Sequence, residues 1–160
     1  MKIPVMDIYH DSVVDGVGIR SVLFVAGCPH HCKGCHNPQS WLESNGTLTD
    51  INDIYNELIS DELADGITLS GGESMLYAKQ LLPILRRIKR ETNLNVWCYT
   101  GFKYEELLEN EYRKELLKYV DVLVDGPFIL ELRDTNLHWC GSSNQRVLRL
   151  ENGEIVEQLY

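Results

Sequence analysis

The chain has 160 residues, 44% hydrophobic and 24% charged, with 15 Lys+Arg against 24 Asp+Glu and a formal net charge of −9. That length suits one domain, residues 1–160, which buries a core without disulfide or metal staples. No apolar run nears the ~20 residues that span a bilayer, and the acidic balance excludes a nucleic-acid backbone footprint.

Met1–Asp7 lacks the apolar stretch and small-residue cleavage site of a signal peptide, so a cytoplasmic location is expected. In that compartment five cysteines, three of them crowded together, point to metal or redox chemistry rather than a disulfide framework. Ile19–Val25 is a short β-branched and apolar run, ended by Ala26-Gly27, and suits a buried strand that delivers Cys28 into a loop. Over Ile51–Leu63 the apolar residues Ile51, Ile54, Tyr55, Leu58, Ile59 and Leu63 recur at helical spacing, with Thr49 as N-cap. Gly66–Ser70 reads as a strand running into Gly71-Gly72-Glu73, followed by a helix through Leu81, Leu85 and Ile88 that Pro83 should kink or delay. Asn95–Tyr99 is a third strand, Glu105–Tyr119 a third helix and Val120–Val124 a fourth strand. Val147–Leu150 and Glu154–Glu157 suit terminal strands joined at Asn152-Gly153.

The alternation of strand and helix implies parallel βαβ units with right-handed crossovers. Some four units are too few for a closed barrel of ~250 residues, so the expected fold is α/β, an open partial TIM-like barrel of parallel βα units. Sites in such folds gather where loops leave the carboxyl ends of strands. Those loops carry Cys28, Cys32 and Cys35, then Gly71-Gly72-Glu73, Thr100-Gly101 and Asp125-Gly126.

The three cysteines fall within eight residues at spacing C-x3-C-x2-C. This spacing admits three readings: a helix face, a zinc site completed by His31 or His36, or a 4Fe-4S cluster held by three thiolates with one iron left open. Gly27, Gly34 and Pro38 speak against the helix, and the lack of a second cysteine knuckle speaks against zinc.

A C-x3-C-x2-C after the first strand and a GGE after the second resemble the radical S-adenosylmethionine superfamily. The resemblance implies a shortened radical SAM core in which S-adenosyl-L-methionine chelates the open iron of one 4Fe-4S cluster. One-electron reduction then breaks its S–C5′ bond, and a 5′-deoxyadenosyl radical takes a hydrogen atom from a bound target. It also implies metal ligands at Cys28, Cys32 and Cys35, and passage of Gly34, Cys35 and His36 beside the adenine. Gly71 and Gly72 would allow close backbone approach, with Glu73 toward the cofactor's ammonium. Thr100 and Asp125 would add polar contacts, a helix cap and a turn carboxylate being their bland readings. No catalytic side chain is expected beyond cluster and cofactor.

Further segments narrow the likeness: Asp15-Gly16-Val17-Gly18-Ile19-Arg20, His36-Asn37-Pro38, Val96–Gly101, Val122–Gly126 and Gly141-Ser142-Ser143-Asn144-Gln145-Arg146. They are similar to the activating proteins of anaerobic ribonucleoside-triphosphate reductase. That family implies an oxidoreductase docking on the large reductase subunit and converting one glycine there to a glycyl radical, fed by a flavodoxin-type electron donor. A homodimer is left open. The alternatives are an activase of another glycyl-radical enzyme, such as pyruvate formate-lyase, or a zinc-stabilised module without catalysis. The chain departs from the family's pattern at Gly34, Pro127 and Cys140. Cys98 reads as a buried thiol, Cys140 is unassigned, and His10, His30, His31 and His138 have no carboxylate partner that the sequence places.

Overall fold

The computed structural model describes residues 1–160. In chain order it has β1 (Lys2–Ser12), β2 (Arg20–Val25), β3 (Thr47–Asp50), α1 (Ile51–Leu58), β4 (Gly66–Gly71), α2 (Ala78–Glu91), β5 (Asn95–Tyr99), α3 (Tyr104–Leu107), α4 (Glu111–Leu117), β6 (Val122–Asp125), β7 (Arg146–Glu151) and β8 (Glu154–Gln158). Short 3-10 turns fill several of the connections.

The strands form one eight-stranded sheet in the order β3-β1-β2-β4-β5-β6-β7-β8. This corrects the expected open partial TIM-like barrel of parallel βα units: the chain forms one mixed, unclosed sheet with antiparallel strands on both flanks. Only the central β2, β4, β5 and β6 pair in parallel. β1 runs antiparallel to both β2 and β3, while β7 runs antiparallel to β6 and β8. The parallel centre has the crossover helices that its spacing demanded, but both flanks are built from direct antiparallel neighbours, which need no helix.

Local chemistry explains the shifted boundaries. Asp50, rather than Thr49, caps α1, its carboxylate accepting from Asn52 N at 2.8 Å. The expected long helix over Glu105–Tyr119 is two short ones, because Asn110 recaps the chain by accepting from Arg113 N at 3.0 Å. α2 runs through Pro83 without ending there. Asn152 (φ 50°) and Gly153 (φ 82°) both take the left-handed conformation, as a two-residue hairpin turn requires. No helix is long and apolar enough to cross a membrane.

Successive strand residues alternate between two faces. Leu23, Val25, Ile67, Leu69, Val96, Cys98, Leu123 and Leu148 join Ile54, Leu58, Leu81, Leu85, Ile88 and Leu116 of the helices in a core of 26 buried residues. Their neighbours Trp97, Val122, Val124 and Val147 form a smaller cluster of four on the opposite face, packed by Tyr99, Trp139 and Cys140. That second face leads into the loops at the carboxyl ends of β2, β4, β5 and β6.

Candidate functional site

β2 ends at Val25, and the loop that follows is anchored at both sides before the cysteines begin. Gly27 N donates to Ser40 O at 2.7 Å, Cys28 N to Trp41 O at 3.2 Å, and Glu73 N to Gly27 O at 2.7 Å. Tyr77 Oη donates to Ala26 O at 2.5 Å, and burial pushes its hydroxyl up to about 12. The segment is not helical. Its main-chain bond is a single turn, Cys35 N to Cys32 O at 3.1 Å, and Gly34 (φ 78°) and His31 (φ 45°) are left-handed. The helix-face reading of the cysteine spacing is thereby excluded.

Cys28, Cys32 and Cys35 are free, half-buried thiols, and all three line one cavity of about 340 Å³. Of the other residues expected at the site, His36, Gly71, Gly72 and Thr100 line the same cavity. The glycine turn is backbone packed on backbone. A Cβ on Gly71 (φ 102°) would lie 2.3 Å from Val25 N, and one on Gly72 would lie 2.4 Å from Gly27 O.

Three expected residues stand outside the cavity wall. Gly34 abuts Leu130, whose Cδ1 would be 2.8 Å from an added Cβ. Glu73 is fully buried, and its carboxylate accepts from His30 Nε2 (2.7 Å), Gly101 N (2.8 Å), Met75 N (3.0 Å) and Thr100 Oγ1 (2.9 Å to each oxygen). Asp125, also buried, accepts from Arg146 Nε at 3.0 Å and Tyr104 N at 2.7 Å. Its hydrogen bonds, with those of Glu105, hold the Arg146 guanidinium firmly protonated.

Several wall residues were not anticipated. His30, for which the sequence places no carboxylate, meets Glu73 here; away from this cavity, His10 meets Glu57, 2.8 Å from its Nε2. The His10 Nδ1 also meets Ser21 Oγ at 2.8 Å, but Ser21 is fully buried, so this relay offers no accessible nucleophile. Asp15, Tyr99 and Trp139 line the cavity as well. Strand alternation in β5, with Val96 and Cys98 facing the helices, was the available signal for Tyr99; burial raises its hydroxyl well above the usual range.

The donor set fits an iron-sulfur cluster. Three soft thiolates on one short loop suit iron or another thiophilic metal, and burial raises the Cys28 thiol, which must lose its proton on metal binding. Beside them Trp41 stacks on His31 at 4.6 Å, lines the same cavity, and keeps a buried indole Nε1–H for which the chain provides no acceptor. A cluster would offer acceptor sulfurs there. No three His, Cys, Asp or Glu side chains are arranged as ligands of one common ion.

The chain matches the family described as a 4Fe-4S single cluster domain over residues 14–148. It is 42% identical to the anaerobic ribonucleoside-triphosphate reductase-activating protein of Haemophilus influenzae, over 89% of this chain and 96% of that protein. The protein of the same name from Vibrio cholerae is 40% identical over 88% of this chain and 94% of its own length. That of Escherichia coli K12 is 37% identical over 89% and 96%.

Proposed function

Because the chain belongs to the family of anaerobic ribonucleoside-triphosphate reductase-activating proteins, we propose that it activates such a reductase by reductive cleavage of S-adenosyl-L-methionine at a 4Fe-4S cluster. The observation that carries this reading is the convergence of Cys28, Cys32, Cys35, Gly71, Gly72 and Thr100 on one cavity. When bound, cluster and cofactor together supply one-electron cleavage of the S–C5′ bond and transfer of one hydrogen atom from a glycine Cα of the reductase, yielding methionine, 5′-deoxyadenosine and a glycyl radical. The electron comes from an external one-electron donor of the flavodoxin type.

The chain's own residues would hold and orient these groups. Cys28, Cys32 and Cys35 would each take one iron, leaving the fourth without a protein ligand. Gly71 and Gly72 bring main chain to the cavity where any side chain would clash. His36 and Phe128, ring centroids 5.4 Å apart and planes at 56°, give an aromatic wall beside which an adenine would pack. Cys35 and Thr100 complete the expected cofactor contacts, while Gly34, Glu73 and Asp125 act by fixing the loops around them.

Anaerobic reconstitution with iron and sulfide tests the reading. About three to four irons per chain are expected, and dithionite plus S-adenosyl-L-methionine should then release methionine and 5′-deoxyadenosine. A colourless protein carrying stoichiometric zinc, unfolding when chelated, would overturn it in favour of the zinc-stabilised module.

A further inference from the structure

We propose that His30 is a positioning residue: it locks the cysteine loop to the Gly71-Gly72-Glu73 turn through the Glu73 carboxylate, fixing the thiolates relative to the cofactor. This inference rests on the cofactor reading above and adds a residue that the cysteine and glycine motifs do not include. Glu73 is the meeting point of three strand-end loops. It follows β4 itself, Thr100 Oγ1 and Gly101 N reach it from the loop after β5, and His30 Nε2 reaches it from the loop after β2. His30 alone brings a side chain from between Cys28 and Cys32 to that carboxylate.

The receiving loop is shaped for this ring. A Cβ on Gly101 would lie 2.5 Å from His30 Cδ2, so glycine leaves the space the imidazole fills. Phe102 packs edge-on to it, with centroids 4.6 Å apart and planes at 76°. His30 lines the cavity and Glu73 does not, so the imidazole links the buried carboxylate to the cavity wall. A bond of 2.7 Å at a site 17% exposed on one side and 0% on the other is sheltered from water and holds the loop in one place. Second-layer contacts of this kind commonly change metal-site properties by about ten- to a hundredfold.

The test compares His30→Ala, His30→Gln and Gly101→Ala with the wild type, all as full chains reconstituted anaerobically. Iron content, the dissociation constant for S-adenosyl-L-methionine by equilibrium dialysis, and the electron paramagnetic resonance spectrum of the reduced cluster with and without cofactor are read. His30→Ala should weaken cofactor binding by about tenfold or more and blunt the cofactor-induced spectral change. His30→Gln, whose amide N–H can still donate to Glu73, should recover part of both. Gly101→Ala keeps the imidazole but drives a methyl into it, so it should resemble His30→Ala, and the double variant should be no worse than either single one. Should His30→Ala lose iron altogether, the other two variants carry the comparison. Wild-type binding and spectra in His30→Ala, or no recovery in His30→Gln, would overturn the inference. A wild type that fails to bind the cofactor would instead overturn the reading on which it rests.

Discussion

Along β5 and β6 two kinds of environment alternate residue by residue. Val96, Cys98 and Leu123 are buried among helix side chains, while Trp97, Val122 and Val124 face the other way, next to Tyr99 at the cavity. The helix face is mainly apolar, with Ser21 and its partner His10 as a polar pair, and is where most of the burial lies. The other face buries the Arg20 guanidinium with neutral partners: Thr68 Oγ1 at 2.8 Å, Ile67 O at 2.6 Å, Asn95 Oδ1 at 2.7 Å and Val17 O at 2.8 Å. Burial pulls its pKa down to about 10. One face supplies stability and the other holds the chemistry, so damage to each should show in different measurements.

The largest effect that would separate them is Cys32→Ala. It should abolish cluster retention in iron and sulfide assays while the unfolding free energy of the metal-free chain stays within about 0.5 kcal/mol of the metal-free wild type, as for a substitution outside the core. A matching loss of stability would break the division between faces. Leu85→Ala, at a fully buried core position, should do the reverse. It should lose about 2–5 kcal/mol in denaturant unfolding and keep the wild-type iron content per folded chain. Arg146→Met would leave the Asp125 carboxylate buried without its cation and should cost about 3 kcal/mol, as expected of a pair that braces β6 against β7. Thr100→Val removes the hydroxyl that Glu73 accepts and should cost about 1–2 kcal/mol. The smallest effect is in thiol reactivity. Cys98 is fully buried with its thiol pushed well above the usual range, so alkylation of the folded, metal-free chain should spare it while modifying the half-buried Cys28, Cys32 and Cys35.

Periodicity made the helix face legible from sequence. Ile54, Leu58, Leu81, Leu85 and Ile88 mark α1 and α2 by spacing alone, and the parallel strands by their apolar runs. Helix length was overread because Leu63, which continues the spacing, is exposed after the chain has turned at Ile59–Asp61. β1 escaped notice because its buried residues Ile3, Pro4 and Val5 are consecutive and the rest of the strand is open to solvent on one side. Without β1 and β3 the parallel units outweigh the terminal hairpin of β7 and β8, and they suggest a barrel fragment.

At the site, the cysteine spacing and the glycine pair were legible because each is a local pattern with a local physical reason. The partners of the two buried acids were not. Glu73 meets His30 across 43 positions of sequence, and Asp125 meets Arg146 across 21. Both acids sit at the carboxyl ends of parallel strands, and only the folded chain distinguishes the one held beside the cysteine loop from the one neutralised by a guanidinium.

The most direct measurement is electron paramagnetic resonance of an anaerobic ribonucleoside-triphosphate reductase mixed with the cluster-loaded protein, a one-electron reductant and S-adenosyl-L-methionine. A glycyl radical on the reductase is expected, appearing in step with methionine and 5′-deoxyadenosine and absent with Cys32→Ala. Cofactor cleavage with no radical on the reductase, or a radical that forms without this chain, would contradict the central claim.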